Sequence, residues 1–207
     1  MKRAFALVAV PALTISLAAC GDNGSGDGKD PMAGHSMPTS ASPSASEGSR
    51  GRHNEQDVMF AQMMIPHHRQ AIEMADLAVT RAASPKVKSL AADIKKAQDP
   101  EIKQLSAWLT GWRSSVPAPG TGGTGHMGHG GMDGMMTDQE MKDLQGAQGA
   151  AFDKTFLEMM IKHHQGAVTM AKAEQSSGRF PAAMKLAGDI VSTQTAEITK
   201  MQNLLKQ

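Results

Sequence analysis

"FAQMMIPHHRQAIEMA", residues 60–75, returns as "FLEMMIKHHQGAVTMA" at residues 156–171. The same shift places Asp57 on Asp153, His67-His68 on His163-His164, Pro85 on Pro181 and Asp93-Ile94 on Asp189-Ile190. It continues without a gap through Gln98 on Gln194, Glu101-Ile102 on Glu197-Ile198 and Leu109 on Leu205. One register held for so long identifies an internal duplication. Each copy reads as a helical hairpin. Helices are expected near 54–82 and 85–112, and again near 150–177 and 181–206, with Ser84-Pro85 and Pro181 as start signals. "TDQE", residues 137–140, fits a capping box and predicts a short extra helix before the second hairpin. Pro100, preceded by Asp99, reads as the opening of a new helical segment, and Pro66 as a kink that frees the Gln62 carbonyl. No period-two stretch signals a strand. The fold class is therefore all-α, a four-helix bundle built from two repeated hairpins.

The repeated motif carries the candidate chemistry. With Met63 at zero and about 100° per residue, His67 falls near 40° and Met74 near 20°, on one face, while His68 falls with Ile65 and Ala75 on nearly the opposite side. The second copy repeats the split, so each His-His pair points two ways. Met63/His67, Met64/His68, Met159/His163 and Met160/His164 are spaced i, i+4 and can converge on one ion. If the hairpins pack about a pseudo-twofold axis, like faces of the two copies meet in the core. The competing reading is that methionine fills core gaps and histidine closes buried hydrogen bonds.

A second Met/His cluster lies between the hairpins. "GHMGHGGMDGMM", residues 125–136, holds His126, Met127, His129, Met132, Met135 and Met136 in a glycine-rich context. Methionines in such a tract have no evident core to fill, so they read as accessory metal ligands. Thioether sulfur is soft and selects Cu(I), and imidazole suits Cu(I) and Cu(II). Zinc sites draw on Cys, His and carboxylates, and calcium and magnesium need oxygen clusters. Copper is the ion these donors fit, with Cu(I) ahead of Cu(II). A di-iron centre would need Glu-x-x-His pairs, and no glutamate stands three residues before a histidine. No nucleophile triad, P-loop or dinucleotide motif occurs either, so no enzymatic activity is expected.

The rest of the chain sets the context. Lys2-Arg3 followed by "AFALVAVPALTISLAA" and "LAAC" (residues 17–20) describes an export signal over 1–19, with Cys20 as the acceptor of a lipid anchor. Cys20 is the single cysteine, so the exported part has neither disulfide nor thiolate ligand. Residues 20–53 are rich in Gly, Ser and Pro and read as a flexible stalk, with a small echo of the cluster at His35 and Met37. The first hairpin then spans 54–113, a linker 114–136, and the short helix with the second hairpin 137–207. Net charge of +1 without a dense basic run excludes nucleic acid as a natural partner. The partners expected are a metal ion and, through the anchor, a membrane of the cell envelope; a copper-handling protein or a second copy of this chain would complete the set.

Over residues 54–207 the duplicated motif, together with "DIKKAQDPEIKQLSAWL" and "TDQEMKDL", resembles the domain of unknown function 305 family. The resemblance implies a ferritin-like four-helix fold. Some members are periplasmic copper-binding proteins that help cells resist copper, so it also implies copper binding. Met63, Met64, His67, His68, Met159, Met160, His163 and His164 match the family's motifs by position. The function read from the sequence is an exported lipoprotein that binds copper for buffering, sequestration or delivery. The alternative is a non-enzymatic envelope interaction module whose Met/His residues merely pack.

Overall fold

The computed structural model describes residues 52–120 and 133–207. The expected signal segment, Cys20 and the expected stalk up to residue 51 lie outside them, as do His126, Met127, His129 and Met132, whereas His53 at the stalk's end stacks on Trp112. Five helices follow in order: α1 (Glu55–Arg81), α2 (Pro85–Gly111), α3 (Asp138–Gly146), α4 (Gly149–Ser177) and α5 (Pro181–Leu204). No strand occurs among the described residues. None of the helices is long and apolar enough to cross a membrane. α1 packs on α2 and α4 on α5, and the two hairpins join through α1 against α4.

Local chemistry accounts for several of the helix ends. Asn54 and Asp57 form a reciprocal capping box at the start of α1, and Thr137 and Glu140 form another on α3. α2 closes through Arg113, whose φ of 59° turns the chain so that the Ser114 N–H reaches the Leu109 carbonyl. Ser84 holds the N-cap position of α2 with Pro85 at its first turn, as the start signal implies, although its side chain makes no capping bond. One expectation needs correction. Pro100 opens no new segment, because α2 runs through it unbroken. A proline costs one backbone hydrogen bond, and the buried residues Ile94, Gln98 and Leu105 keep one helical register across it. α1 likewise continues through Pro66.

What seats the α2 start is a carboxylate from the other hairpin. Asp153 accepts the Ala83 and Ser84 N–H groups at 3.1 and 2.8 Å. Its repeat partner Asp57 accepts those of Arg179 (3.1 Å) and Phe180 (2.9 Å), just ahead of α5. Each hairpin thus places an aspartate at the elbow of the other, beside a helix N-terminus where negative charge is favoured. The apolar core falls into two clusters, one either side of the middle of α1 and α4. Met74 and Ala78 meet Phe152, Phe156 and Met160 in the first. Phe60, Met64 and Ile65 meet Ala167, Ala171 and Phe180 in the second. These pairings make α1 and α4 antiparallel.

One buried group breaks the repeat symmetry. Glu174, in place of Ala78 in the first copy, is fully buried beside Asp57. Burial, then hydrogen bonding and charge from Asp57, push its carboxyl up to about 8. Burial alone would raise Asp57 too, but the neighbouring Glu174 carboxyl and hydrogen bonds from the Asn54, Phe180 and Arg179 backbone hold it below the usual value. With its folded pKa raised, Glu174 binds a proton in the native state that the unfolded chain releases above about 4.5. Its contribution is therefore fully present below about pH 4.5 and is lost as pH rises through about 8. Thermal melts at pH 5 and pH 8 should show the native chain losing roughly 5 °C or more of Tm from this group, a loss that Glu174→Gln abolishes. Equal pH dependence in both proteins would refute it.

Candidate metal centre

The layer between the two apolar clusters is polar. His67 on α1 and His163 on α4 meet there, ring centroids 3.8 Å apart and planes inclined by 44°. His67 is 0% and His163 1% exposed. Burial, then the charge that neighbouring histidines would carry, holds His67 down to about 3, and the same causes hold His163 well below its usual range. Both are neutral at ordinary pH, the state in which imidazole offers a lone pair to a metal.

His68 and His164, one residue on, turn to the partner helix of their own hairpins. His68 Nε2 lies 2.7 Å from Glu101 Oε2 on α2, and His164 Nε2 lies 2.7 Å from Glu197 Oε2 on α5. These glutamates occupy one repeat position, so the pairing is duplicated with the histidines. The repeat alignment already matched them, but helical periodicity within α1 or α4 could not show that a side chain of the next helix reaches a ring nitrogen. Gln98 and Gln194, another repeat pair, are also buried, each with a side-chain oxygen lacking a hydrogen-bond partner.

The methionines divide by role. Met64 and Met160 are fully buried in opposite apolar clusters. Met63 and Met159 are half-buried, and Met159 packs against the first cluster. Met136 corrects the reading of the linker: it is a core residue, 5% exposed, packed in the first cluster. Its backbone is clamped by Gln70, which donates to the Met136 carbonyl at 2.8 Å and accepts the Met136 N–H at 2.7 Å. Met135 is half-buried and lines a small cleft of about 180 Å³ with Pro66, Arg69, Gln70 and Glu73.

Residues 133–136 therefore form a strap across the histidine layer. The Asp133 carbonyl accepts from His67 Nε2 at 3.3 Å. Gly134 has a φ of 84° and lies on the α4 backbone, where a Cβ would stand 2.7 Å from the Lys162 carbonyl oxygen. A Cβ at Gly166 would stand 1.8 Å from the Asp133 carbonyl oxygen. Gly166 and Gln70 are the same repeat position. One copy supplies the clamp and the other the space. The chain entering the linker is held on the same side, by Gln62 on Ser115 and Arg69 on Pro117. A separate surface cleft of about 670 Å³, bordered by Pro85, Asp153, Leu157 and Leu204, lies against other residues entirely.

Among the described residues no three His, Cys, Asp or Glu side chains converge as a ready metal cage. The donor set still fits a soft ion of low coordination number. Both nitrogens of His163 and the Nδ1 atoms of His67, His68 and His164 are buried without a hydrogen-bond partner. Orphaned polar atoms at this density are destabilising, and in native structures such groups call for a functional account.

Two expectations follow from the packing. His163→Leu, which replaces an unpartnered buried ring by an apolar side chain, should leave metal-free stability unchanged or raise it by about 1–3 kcal/mol. A chemical-denaturation midpoint well below that of the native chain would contradict this. Gly166→Ala should cost about 1–3 kcal/mol, since the Cβ meets backbone that must shift. An unchanged midpoint would show that the strap is not held against α4.

Comparison with known proteins places this architecture. The sequence model of the domain of unknown function 305 family matches residues 57–205, and the chain belongs to that family. It is similar to a crystal structure of a family member from Streptomyces coelicolor, at 32% identity and a TM-score of 0.65, covering 73% of this chain and 92% of that one. CopM in the Cu(II)-bound form is 38% identical, with a TM-score of 0.62 over 72% of this chain and 95% of that one. CopM in the Cu(I)-bound form is 35% identical, with a TM-score of 0.60 over the same shares. An uncharacterised protein of Acanthamoeba polyphaga mimivirus is 40% identical over 53 residues, and the match spans 35% of its length.

Proposed function

From membership of this family as the premise, we propose that the chain binds copper, Cu(I) in preference to Cu(II), in the histidine layer between its two hairpins. The observation that carries the proposal is the His67–His163 contact: two neutral, buried imidazoles at 3.8 Å, with three of their four ring nitrogens lacking a partner. A soft cation would satisfy these nitrogens where no hydrogen-bond donor or acceptor does. Half-buried Met63 and Met159 stand one helical turn before His67 and His163 and are candidate thioether donors. CopM, similar along almost its whole length, is known in copper-bound forms.

The role that fits this site is copper buffering, sequestration or delivery rather than catalysis. The leader and "LAAC" support export and anchoring at Cys20, which would place the site in the cell envelope. There, methionine and histidine are durable substitutes for oxidisable thiols. His126, Met127, His129 and Met132 are proposed as accessory ligands, with Met135 beside them in the chain. Met136 is left to packing.

The packing of Met64, Met160 and Met136 favours, as a second reading, an interaction module without metal. Competitive titration of Cu(I) against a chromogenic chelator separates the two. The native chain is expected to bind more tightly than about 1 μM, and His67→Ala/His163→Ala to weaken binding by about 100-fold or more. Native binding no tighter than micromolar would favour the interaction module, and tight affinity indifferent to the double substitution in a folded variant would remove the metal from the His67–His163 layer.

A further inference from the structure

Three of the four clustered histidines spend the same ring nitrogen. His67 Nε2 is bonded to the Asp133 carbonyl, His68 Nε2 to Glu101 and His164 Nε2 to Glu197. The three acceptors come from three elements: the strap, α2 and α5. A carbonyl oxygen can only accept, and at His68 and His164 a carboxylate oxygen is the one partner within reach while Nδ1 has none, so in the neutral ring the proton belongs on Nε2. Nδ1 is then the atom with the free lone pair. In all three residues Nδ1 is buried with no hydrogen-bond partner, and a proton placed there would have no acceptor.

The side chains of His68 and His164 are fully buried, whereas those of Glu101 and Glu197 keep 20% and 14% exposure. Each glutamate sits at the solvent edge and reaches inward to an imidazole. A structural strut would need only the Nε2–H to carboxylate bond. It would not require the other nitrogen to be left bare in the protein interior, twice, at repeat-related positions.

Resting on the copper reading above, we propose that Glu101 and Glu197 are positioning residues that lock His68 and His164 as Nε2–H tautomers, so that each of these rings keeps Nδ1 as its donor to a soft metal ion. The strap does the same for His67 through the Asp133 carbonyl. His163, with both nitrogens unpartnered, is the one ring free to use either atom. A ligating imidazole commonly gives its second N–H to a carboxylate or carbonyl, which fixes ring orientation and raises donor strength.

Long-range proton–nitrogen correlation spectra of the chain labelled with 15N-histidine test this directly, because the two tautomers give distinct nitrogen shifts. Without metal, His67, His68 and His164 are expected as Nε2–H tautomers. On addition of Ag(I), a diamagnetic soft ion, Nδ1 resonances should shift while the Nε2–H correlations persist. Glu101→Gln/Glu197→Gln should scramble the tautomers of His68 and His164 and weaken Ag(I) binding by about 10–100-fold. An Nδ1–H tautomer at His68 or His164 in the metal-free chain overturns the proposal, and this readout needs no substituted protein to fold. Ag(I) binding with loss of the Nε2–H correlations brings down the donor assignment alone. Absence of Ag(I) binding brings down the copper reading with it.

Discussion

Antiparallel packing of α1 on α4, with His67 against His163 at the crossing, is the contact around which the molecule is arranged. The apolar clusters lie on either side of it. Each hairpin buries its own α1–α2 or α4–α5 face by local means; that helix pair is the largest contact between them, joined by Trp108 of α2 against Phe180 and by Lys200 of α5 on Asp93 of α2. Reciprocal aspartates secure the meeting: Asp57 seats the α5 elbow and Asp153 the α2 elbow. Because each carboxylate serves the other hairpin, neither elbow has its partner until both hairpins are docked. A polar layer in the middle of the interface is the unfavourable part of this design, and the flanking hydrophobic burial has to offset it.

The duplication is nearly symmetric in its histidines and their glutamates, and asymmetric around them. Pro66 faces the cleft at the strap, while its partner Lys162 reaches Glu140 on α3. Gln70 clamps Met136, while its partner Gly166 gives way to Asp133. Glu174 adds a buried carboxyl beside Asp57 where the first copy has Ala78. The two copies have kept the central side chains in common and diverged beneath the strap at Gln70/Gly166 and Pro66/Lys162 and, away from it, at Ala78/Glu174. One strap cannot be symmetric, so the positions beneath it cannot be either.

Much of this was legible in residues 60–75 and 156–171. The repeat is read from spacing alone; the helix pairs, the short helix with its capping box and the splitting of each His-His pair follow from spacing and turn chemistry, and the structure carries these. Met136 was not legible, because a glycine-rich surrounding hid a residue whose burial depends on Gln70, far away in the chain. Ser84 marked the right position for the wrong reason, since the carboxylate at that elbow comes from the other hairpin. Pro100 suggested a break that tertiary packing overrides.

By itself the sequence determined an all-α chain of two like hairpins, because helical period, capping and proline placement act over a few residues. It also determined that the histidines and methionines recur as a set. Only the tertiary structure decided that His67 meets His163, that His68 and His164 spend Nε2 on Glu101 and Glu197, and that residues 133–136 lie across the layer. These contacts join residues 33 to 96 positions apart in the chain. A helix of 3.6 residues per turn states which side chains share a face; what that face meets is settled only when the faces dock.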